Sequence, residues 1–383
     1  MHIKRLINLE NDLKKKSILF IGPRQTGKSS IIRHSFNQYK KYNLLEADTF
    51  LKLQRDPTRI RSELKNTDKI IIIDEVQKIP SLLDEIHLLI EERNVKFLLT
   101  GSSLRRFHTH GINRLGGRLR TKRLNPFSKI ELKDEKFDLI ERLKFGLIPS
   151  ICFSDDPQID LKSYVNDYVQ GEVISEGAIR NIPAFARFLE VAALTSGEMI
   201  NYTNIGNDAQ VPRTTIIDYF TVLQQTLLGE SLPAWKEGKK RKPITSSKFY
   251  FFDTGVINTI LNRKEVNRNS KDFGNLFETY IFHELRCYRD YKKDILINYW
   301  RSTSQIEVDF VIDGEVAIEV KSTSNVSSED LKGLKAISEE NKFKKLILIC
   351  FEKSERVVNS DSHKIEIIPW DIFLEKLWNG QVI

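Results

Sequence analysis

The sequence predicts an α/β protein in which two strand-containing regions flank a helical one. Three observations support this prediction: a glycine-rich turn between a strand and a helix, apolar strands alternating with helical patterns up to Leu124, and a second strand-rich stretch after Asn269. Strands that alternate with helices indicate a parallel sheet covered by helices. The chain has 383 residues, enough for two or three domains, and we place them at 1–150, 156–261 and 269–383.

The glycine-rich turn reads GPRQTGKS and spans residues 22–29. It follows the apolar run Ile18–Ile21 and opens an amphipathic stretch, which is the strand–turn–helix context that a phosphate-binding loop (P-loop) requires. Backbone N–H groups of such a turn and the positive end of the helix dipole attract phosphate. Lys28 would reach the β- and γ-phosphates, and Ser29 would bind Mg²⁺. The residues expected to bind nucleotide are Gly22, Pro23, Arg24, Gln25, Thr26, Gly27, Lys28, Ser29 and Ser30.

Two acidic residues end the next buried-type strand, Ile70–Ile73. We expect Asp74 to help hold Mg²⁺ and Glu75 to activate the attacking water during ATP hydrolysis. An acidic pair after a strand is usually a solvated loop, but here it follows a complete P-loop pattern. Because the chain contains no Asn-Lys-x-Asp motif for guanine, ATP is the expected nucleotide.

The strands predicted for this first region are Ile18–Ile21, Asn43–Ala47, Ile70–Ile73, Phe97–Thr100 and Leu119–Leu124. Ligands of such sheets bind at the carboxyl ends of the strands. Ser102 lies just after the fourth of these strands and is our first choice for a γ-phosphate sensor, with Thr100 second; a plain polar turn is the alternative. Arg118 is the preferred candidate for an arginine finger, and a solvent-facing arginine is the alternative.

The middle region has the pattern of a winged helix-turn-helix. Helices are predicted at Asn181–Leu194, Tyr202–Ala209 and Arg213–Leu228, followed by a basic hairpin that ends in the strand Lys248–Asp253. The last helix would present its first residues to a DNA groove, and the wing would contact phosphates. The candidate DNA-binding residues are Arg213, Thr214, Thr215, Lys239, Lys240, Arg241 and Lys242. The alternative is a winged helix that only packs between domains.

The C-terminal region has the element order αβββαβ of a restriction-endonuclease-like fold. Asp309 on one predicted strand and Glu319-Val320-Lys321 on the next match the PD-(D/E)XK pattern. Residues two apart on a strand share a face, so Glu319 and Lys321 would point at the same metal-bound water. Asp309, Glu319 and Glu278 would hold Mg²⁺, and Lys321 would stabilise charge on the phosphate. The alternative is a surface ion-pair ladder that also includes Glu307.

The turn between these two strands provides a geometric test. A two-residue turn at Asp313-Gly314 would place Asp309 and Glu319 on opposite faces of the sheet. A three-residue turn shifts the register by one and places Asp309 opposite Glu319. We therefore predict the three-residue turn, because a nuclease-like site requires both carboxylates on one face.

These motifs together resemble one family. GPRQTGKS, IIIIDEVQKIP, LLTGSS, the GGR segment, Lys248-x-Tyr250-x-x-Asp253-x-Gly255, GNLFE and EVDFV…AIEVKS occur in the order found in prokaryotic ATPases. That family has an AAA-type P-loop domain, a winged helix and a C-terminal domain of unknown function with a PD-(D/E)XK nuclease-like fold. The resemblance covers essentially the whole chain. It implies the nucleotide and nuclease-like roles assigned above to these same residues; Ser29 stands where Thr is more frequent.

Composition agrees with a cytoplasmic protein that meets a polyanion. The formal net charge is +8, 40% of residues are hydrophobic, and the three cysteines are too far apart to indicate a zinc cluster. We expect an ATP- and Mg²⁺-dependent ATPase that engages DNA, with no membrane role, and either monomeric or a homo-oligomer. ATP-gated endonuclease activity is one interpretation of the C-terminal region. The alternative is a nucleotide switch whose nuclease-like domain is catalytically idle and binds a protein partner.

Overall fold

The fold was examined in a computed structural model. The structure describes residues 3–103, 115–132, 137–170, 179, 181–238, 240–242, 244–340, 343–360 and 363–383. Lys239, one of the predicted DNA contacts, lies outside these residues.

The N-terminal region contains a five-stranded parallel sheet with the strand order β2-β3-β4-β1-β5. Its strands are β1 (Ser17–Ile21), β2 (Lys40–Asn43), β3 (Ile70–Asp74), β4 (Lys96–Gly101) and β5 (Leu119–Arg123). Helices of this region are α1 (Leu9–Lys15), α2 (Lys28–Ser35), α3 (Ala47–Arg55), α4 (Arg59–Glu63) and α5 (Leu82–Arg93). Apolar clusters cover both faces of the sheet, as in a P-loop NTPase.

One predicted strand of this sheet, Asn43–Ala47, was wrong. The strand β2 instead ends at Asn43, whose side chain accepts a hydrogen bond from the backbone of Leu45, and Ala47 begins α3. β2 is an edge strand of mostly polar residues, Lys40 and Lys41 among them, so its sequence lacks the apolar pattern of a buried strand.

The middle region is mostly helical. Its helices are α6 (Leu139–Phe145), α7 (Pro149–Cys152), α8 (Pro157–Tyr164), α9 (Ile182–Leu194), α10 (Tyr202–Ala209), α11 (Arg213–Gln225) and α12 (Thr254–Ile260). Asn201 caps α10 by accepting from the backbone of Asn204, and three residues separate α10 from α11. Strands β6 (Gly229–Leu232) and β7 (Lys248–Phe251) form an antiparallel ribbon, in which β7 matches the strand predicted at Lys248–Asp253 and β6 begins directly after the end of the predicted helix Arg213–Leu228.

The C-terminal region is built around a six-stranded mixed sheet with the order β12-β13-β11-β10-β9-β8. The strands are β8 (Ile297–Arg301), β9 (Glu307–Ile312), β10 (Val316–Val320), β11 (Lys345–Cys350), β12 (Arg356–Ser360) and β13 (His363–Pro369). The helices are α13 (Lys271–Tyr291), α14 (Lys332–Ser338) and α15 (Trp370–Trp378). The predicted order of α13 to β11 is present, whereas β12, β13 and α15 were not predicted.

The middle and C-terminal regions share one hydrophobic core. Tyr250 of β7 packs against Phe282 of α13 with ring centroids 4.4 Å apart, and Phe282 stacks on Phe310 of β9. One apolar cluster accordingly contains buried side chains from both regions, of which Phe127 is the first in the chain and Val382 the last. The opposite face of the C-terminal sheet packs on α14. In the described parts of the chain, no helix combines the length and apolar character needed to cross a membrane.

Candidate functional site

The P-loop has the backbone shape that its glycines predict. Gly27 directly precedes the first residue of α2 and has a φ of +99°. Residues other than glycine rarely adopt this backbone conformation. Gly22 lies so close to strand β5 that a Cβ there would stand 2.5 Å from the carbonyl oxygen of Leu124. The turn is therefore a tight cradle at the N-terminus of a helix, which suits a phosphate group.

Lys28 is buried inside this cradle. The Lys28 Nζ donates to the carbonyl oxygens of Gly22 at 2.6 Å and Pro23 at 3.0 Å, and Lys28 as a whole is only 6% exposed. The ammonium group thus lies against the loop that it is expected to serve. Thr26 stabilises the same turn, because its Oγ1 donates to the Pro23 carbonyl at 2.8 Å.

A buried arginine supports the loop from beneath. Arg5 donates from Nη1 to the carbonyl oxygen of Thr26 at 2.7 Å and from Nη2 to that of Asn125 at 2.7 Å. It also pairs with Glu131 at 2.9 Å and donates to the Tyr291 hydroxyl at 3.3 Å. Arg5 therefore joins the P-loop to α13, and the sequence analysis did not identify it.

Ser29 and Asp74 meet at the mouth of the loop. The Ser29 Oγ donates to Asp74 Oδ2 at 3.1 Å, and the other carboxylate oxygen of Asp74 accepts from the Thr100 hydroxyl. Mg²⁺ prefers one or two protein oxygens together with phosphate and water oxygens, so this pair fits the ion. Thr100, the second choice for a phosphate sensor, is instead buried beneath Asp74 and also accepts from the backbone N–H of Glu75.

Glu75 begins a tight turn with a φ of +58°, which directs its side chain into the cleft beside the P-loop. Its carboxylate accepts a hydrogen bond from the side-chain amide of Gln77, and Ser102 Oγ lies 3.4 Å from it. A non-glycine residue in this conformation is strained and must be held by its surroundings. Ser102 thus lies at the predicted catalytic carboxylate, and Gln77 is a neighbour that sequence reasoning missed.

The P-loop and the turn that begins at Glu75 line one cleft of about 570 Å³. Its lining includes Lys28, Ser29, Glu75 and Gln77, and it also receives Ser150 of α7, whose hydroxyl donates to Gln25 Oε1 at 2.5 Å. The remaining lining residues are Arg24, Gly27, Ser30, Arg33, Leu45 and Lys78. The cleft lies at the carboxyl ends of β1 and β3, where the sequence analysis expected a ligand.

Arg118 is not part of this cleft. Its Nε pairs with Glu91 of α5 at 2.5 Å, and it is not among the lining residues. The structure therefore does not bring the proposed arginine finger to the nucleotide site of its own chain.

The predicted DNA-binding residues have different surroundings. Arg213 and Thr214 are exposed at the N-terminus of α11, and Thr215 is half-buried. Lys240 is exposed and lies 3.8 Å from Glu339, and Arg241 pairs with Glu339 at 3.1 Å and with the buried Glu340 at 2.9 Å. The charge of Arg241 is therefore already balanced by carboxylates of the C-terminal region.

The segment between β6 and β7 lies on the C-terminal sheet and does not extend into solvent as a free hairpin would. Trp235 donates its backbone N–H to the Tyr299 carbonyl at 2.7 Å, and Ile244 donates to Arg301 at 2.9 Å. The backbone of Thr303 also donates to the carbonyl of Lys242 at 3.2 Å. The predicted wing is therefore bound to β8, the edge strand of that sheet.

The C-terminal carboxylates converge as the register predicts. Val316 pairs with Ile312 and Ile318 with Phe310, so the turn contains three residues, Asp313 to Glu315, and this prediction is confirmed. One step further along the register, Glu319 stands across from Asp309. Asp309 Oδ2 accepts from the backbone of Val320 at 2.8 Å, and Lys321 Nζ lies 2.6 Å from Glu319 Oε1.

A lysine from the middle region lies among these carboxylates. Lys248 Nζ is 3.0 Å from Glu278 Oε1, 2.5 Å from Glu307 Oε1 and 3.7 Å from Asp309 Oδ1. Its side chain is only 3% exposed. Tyr250, two residues later on the same face of β7, donates its hydroxyl to Glu278 Oε1 at 2.5 Å.

Burial shifts the pKa values of the ionisable groups in this cluster. Burial, and then the charges of Glu278 and Glu319, raise the pKa of Asp309 well above its ordinary value. Burial raises the pKa of Glu319 to about 7, although Lys321 acts in the opposite direction. Burial alone would lower the pKa of Lys248, but Glu278, Tyr250, Asp309 and Glu307 raise it, so this lysine remains charged. The cluster thus carries more carboxylate than its lysines neutralise.

The donors are of the kind that Mg²⁺ prefers, yet their arrangement does not fit the ion in this conformation. Glu319 Oε2 is buried without a hydrogen-bond partner, as an oxygen awaiting a ligand would be. However, no three His, Cys, Asp or Glu side chains of the described residues are placed to hold a metal. The Lys248 ammonium stands among the oxygens that the ion would need.

Lys248 and Glu307 complete this cluster, and the sequence analysis gave neither a role in the site. A signal for Lys248 was present, because a lysine that begins the apolar run Lys248–Phe251 must find a buried partner. Arg5 and Gln77 carried no such signal, because Arg5 reaches the P-loop only through the fold and the hydrogen bond from Gln77 to Glu75 depends on the conformation of the turn that holds both.

Three family models match separate stretches of the chain. Residues 14–133 match a family described as AAA domain. Residues 136–267 and 273–373 match two domains of unknown function, DUF8612 and DUF4143. No curated protein matches the chain.

Solved structures that match include the Orc1 protein of Aeropyrum pernix in complex with DNA. It is 13% identical, the match covers 68% of this chain and 93% of that chain, and the TM-score is 0.26. A TM-score this low carries no argument about fold or function. The family match over residues 14–133 and the five-stranded parallel sheet together support an AAA-type P-loop domain in the N-terminal region.

Proposed function

We propose that the chain is an Mg²⁺-dependent ATPase that engages DNA through its middle and C-terminal regions. The observation that carries the first part is one cleft at the end of a parallel sheet, which is lined by Lys28, Ser29 and Glu75 and has Asp74 in hydrogen-bond contact with Ser29. A phosphate-binding loop, a place for Mg²⁺ and a carboxylate for the attacking water are the parts that phosphoryl transfer to water needs.

Each residue has a stated role in this proposal. Lys28 would leave the loop carbonyls and bind the β- and γ-phosphates, while Ser29 and Asp74 would hold Mg²⁺, which neutralises charge on the phosphates. Glu75 would accept a proton from water, and Ser102 would respond to the γ-phosphate through its contact with Glu75. An arginine-finger role for Arg118 would require a second copy of the chain, because its own cleft does not contain it.

For the remaining chain we propose a winged helix at 156–261 and a nuclease-like domain at 269–383, after the ATPase domain at 1–150. The exposed Arg213 and Thr214 at the start of α11, together with Lys240, support contact with DNA. The position of Asp309 opposite Glu319, with Lys321 beside it, supports the nuclease-like fold.

A second candidate function is a nucleotide switch whose C-terminal domain is catalytically idle and binds a protein partner. One observation favours it: the Lys248 ammonium is placed among the carboxylates that metal-dependent cleavage would use.

ATP turnover and DNA cleavage by the purified protein test these candidates. Supercoiled, linear and single-stranded DNA would be incubated with Mg²⁺ or Mn²⁺, with and without ATP, beside the Asp309→Ala and Glu75→Gln variants. Cleavage that disappears in Asp309→Ala would establish a nuclease, and its dependence on ATP would show gating. Turnover without cleavage under any condition would favour the idle domain. Turnover equal to wild type in Glu75→Gln would overturn the ATPase mechanism.

A further inference from the structure

A single cation from the middle region fills the centre of the C-terminal carboxylate cluster. The Lys248 ammonium contacts Glu278 of α13 and both Glu307 and Asp309 of β9. It therefore contacts one helix and one strand of the C-terminal region. Lys248 belongs to the β6–β7 ribbon, which precedes these elements in the chain. The cluster and its cation are therefore supplied by different regions.

The cation is fixed by its own strand. Lys248 pairs with Leu232 across the ribbon and bridges to Met199, and its stem lies against the Tyr299 ring, 5.5 Å from Nζ to the centroid. Tyr250 reaches the same Glu278 oxygen from the next position on that face. The ammonium can leave the cluster only if the ribbon or the long side chain is displaced.

A structural ion pair alone leaves part of the cluster unexplained. Glu319 Oε2 is buried without a partner and belongs to the residue that stands across from Asp309. A carboxylate oxygen in that state is expected to receive a cation or a proton. Lys321 pairs with the other oxygen of Glu319, and Lys248 reaches Asp309 only at 3.7 Å, so the Oε2 atom of Glu319 is the oxygen of the cluster that no ion pair accounts for.

We propose that Lys248 acts as the built-in cation of this cluster and decides whether a divalent metal can bind. With Lys248 in place, its ammonium contacts Glu278, Glu307 and Asp309, and a divalent ion among the same oxygens would be repelled by it. With Lys248 displaced, the same carboxylates and the unpartnered Glu319 oxygen form a metal site. The inference rests on the proposed nuclease-like domain and deepens it by naming the residue that controls its metal.

Binding of Mn²⁺ to the full-length chain without nucleotide tests this inference. Electron paramagnetic resonance would count bound Mn²⁺ in wild type, in Lys248→Met and in Lys248→Met/Asp309→Asn. Methionine keeps a side chain of similar length but removes the charge. We expect Lys248→Met to gain one Mn²⁺ site with an affinity at least about tenfold above wild type, because a repelling charge is gone. The double variant should lose that site.

The matched control is Lys236→Met, which removes an exposed lysine from the segment that leads into the same ribbon. It should bind Mn²⁺ as wild type does. Equal Mn²⁺ binding by wild type and Lys248→Met would overturn the inference, and so would a gain that survives Asp309→Asn.

A second measurement does not depend on any Lys248 variant. The melting temperature of wild type without nucleotide should be the same in EDTA and in Mn²⁺, because the ammonium already occupies the cluster. A rise with Mn²⁺ that disappears in Asp309→Asn would overturn the inference. Neither measurement uses DNA cleavage, so a domain that binds metal after loss of Lys248 but never cuts would uphold the inference while refuting the endonuclease.

Discussion

The Ser29 hydroxyl lies 3.1 Å from the Asp74 carboxylate, although the two residues are 45 positions apart in the chain. Ser29 is the second residue of the helix after the P-loop and Asp74 is the last residue of β3, so the fold alone brings them together. An oxygen pair at this spacing beside bound phosphates can share one Mg²⁺.

Replacing Ser29 with alanine should raise the Mg²⁺ concentration needed for half-maximal ATP turnover by about tenfold, which corresponds to about 1.4 kcal/mol for one lost ligand. ATP binding measured in EDTA should stay unchanged, because the phosphates are still held by Lys28 and the loop backbone. A Ser29→Ala protein whose turnover needs no more Mg²⁺ than wild type would contradict this assignment. Ser29→Thr, which keeps the hydroxyl, is the control.

Replacing Glu75 with glutamine should reduce kcat by about 10²- to 10⁴-fold, the range attributed to a positioned general base. The Kd for ATP should change little, since Glu75 faces the expected position of water and makes no predicted phosphate contact. Turnover under saturating ATP and equilibrium binding of a fluorescent ATP analogue separate the two effects. Loss of binding with no change in kcat would show that Glu75 serves the nucleotide and not the water.

Replacing Glu340 with alanine should release the segment that lies on β8. Its side chain is fully buried and accepts from the backbone of Lys240 at 2.6 Å and from the Arg241 side chain at 2.9 Å. Loss of these bonds should lower the free energy of unfolding by about 2–4 kcal/mol. Limited proteolysis should show earlier cleavage near Arg241. The neighbouring Glu339, which is half exposed, is the control, and its replacement should change stability by less than about 1 kcal/mol.

Stability should fall as the pH rises because of Glu284. Burial raises its pKa to about 7, so folded Glu284 binds a proton that the unfolded chain, with an ordinary pKa near 4.5, has released. Between about pH 4.5 and 7 the folded state therefore binds more protons, and the free energy of unfolding decreases as pH rises, by on the order of 3 kcal/mol from this group.

Urea unfolding of wild type and Glu284→Gln at several pH values isolates this contribution from that of other carboxylates. The glutamine keeps the acceptor for the Lys129 backbone and does not ionise. The difference between the two proteins should shift in favour of the variant as the pH rises to 8. A difference that is constant over this range would mean that Glu284 keeps an ordinary pKa.

The sequence predicted those parts whose signal is local. Gly22, Gly27, Lys28 and Ser29 form one continuous pattern, and the three-residue turn before Val316 followed from the requirement that two carboxylates share a face. Buried strands such as β3 and β4 were also predicted, because their sequences are uninterrupted apolar runs.

The parts that the sequence did not reveal depend on contacts between distant segments. Arg5 reaches the P-loop, and Lys248 of the middle region reaches Glu307, only after the chain has folded. The wing was predicted as a free basic hairpin because Arg241 lies in a run of positive residues. The sequence does not show that Glu339 and Glu340, about a hundred positions away, neutralise it.

The docking of Trp235 and Ile244 along β8 has a consequence for anyone who isolates the C-terminal region. A fragment that begins at Asn269 would lack these backbone partners and would present the row of N–H and C=O groups on the outer side of β8 to solvent. Such an open edge pairs readily with other chains, so the fragment is expected to aggregate where the whole protein stays monodisperse. Size-exclusion chromatography of the two would show the edge protection that the middle region provides.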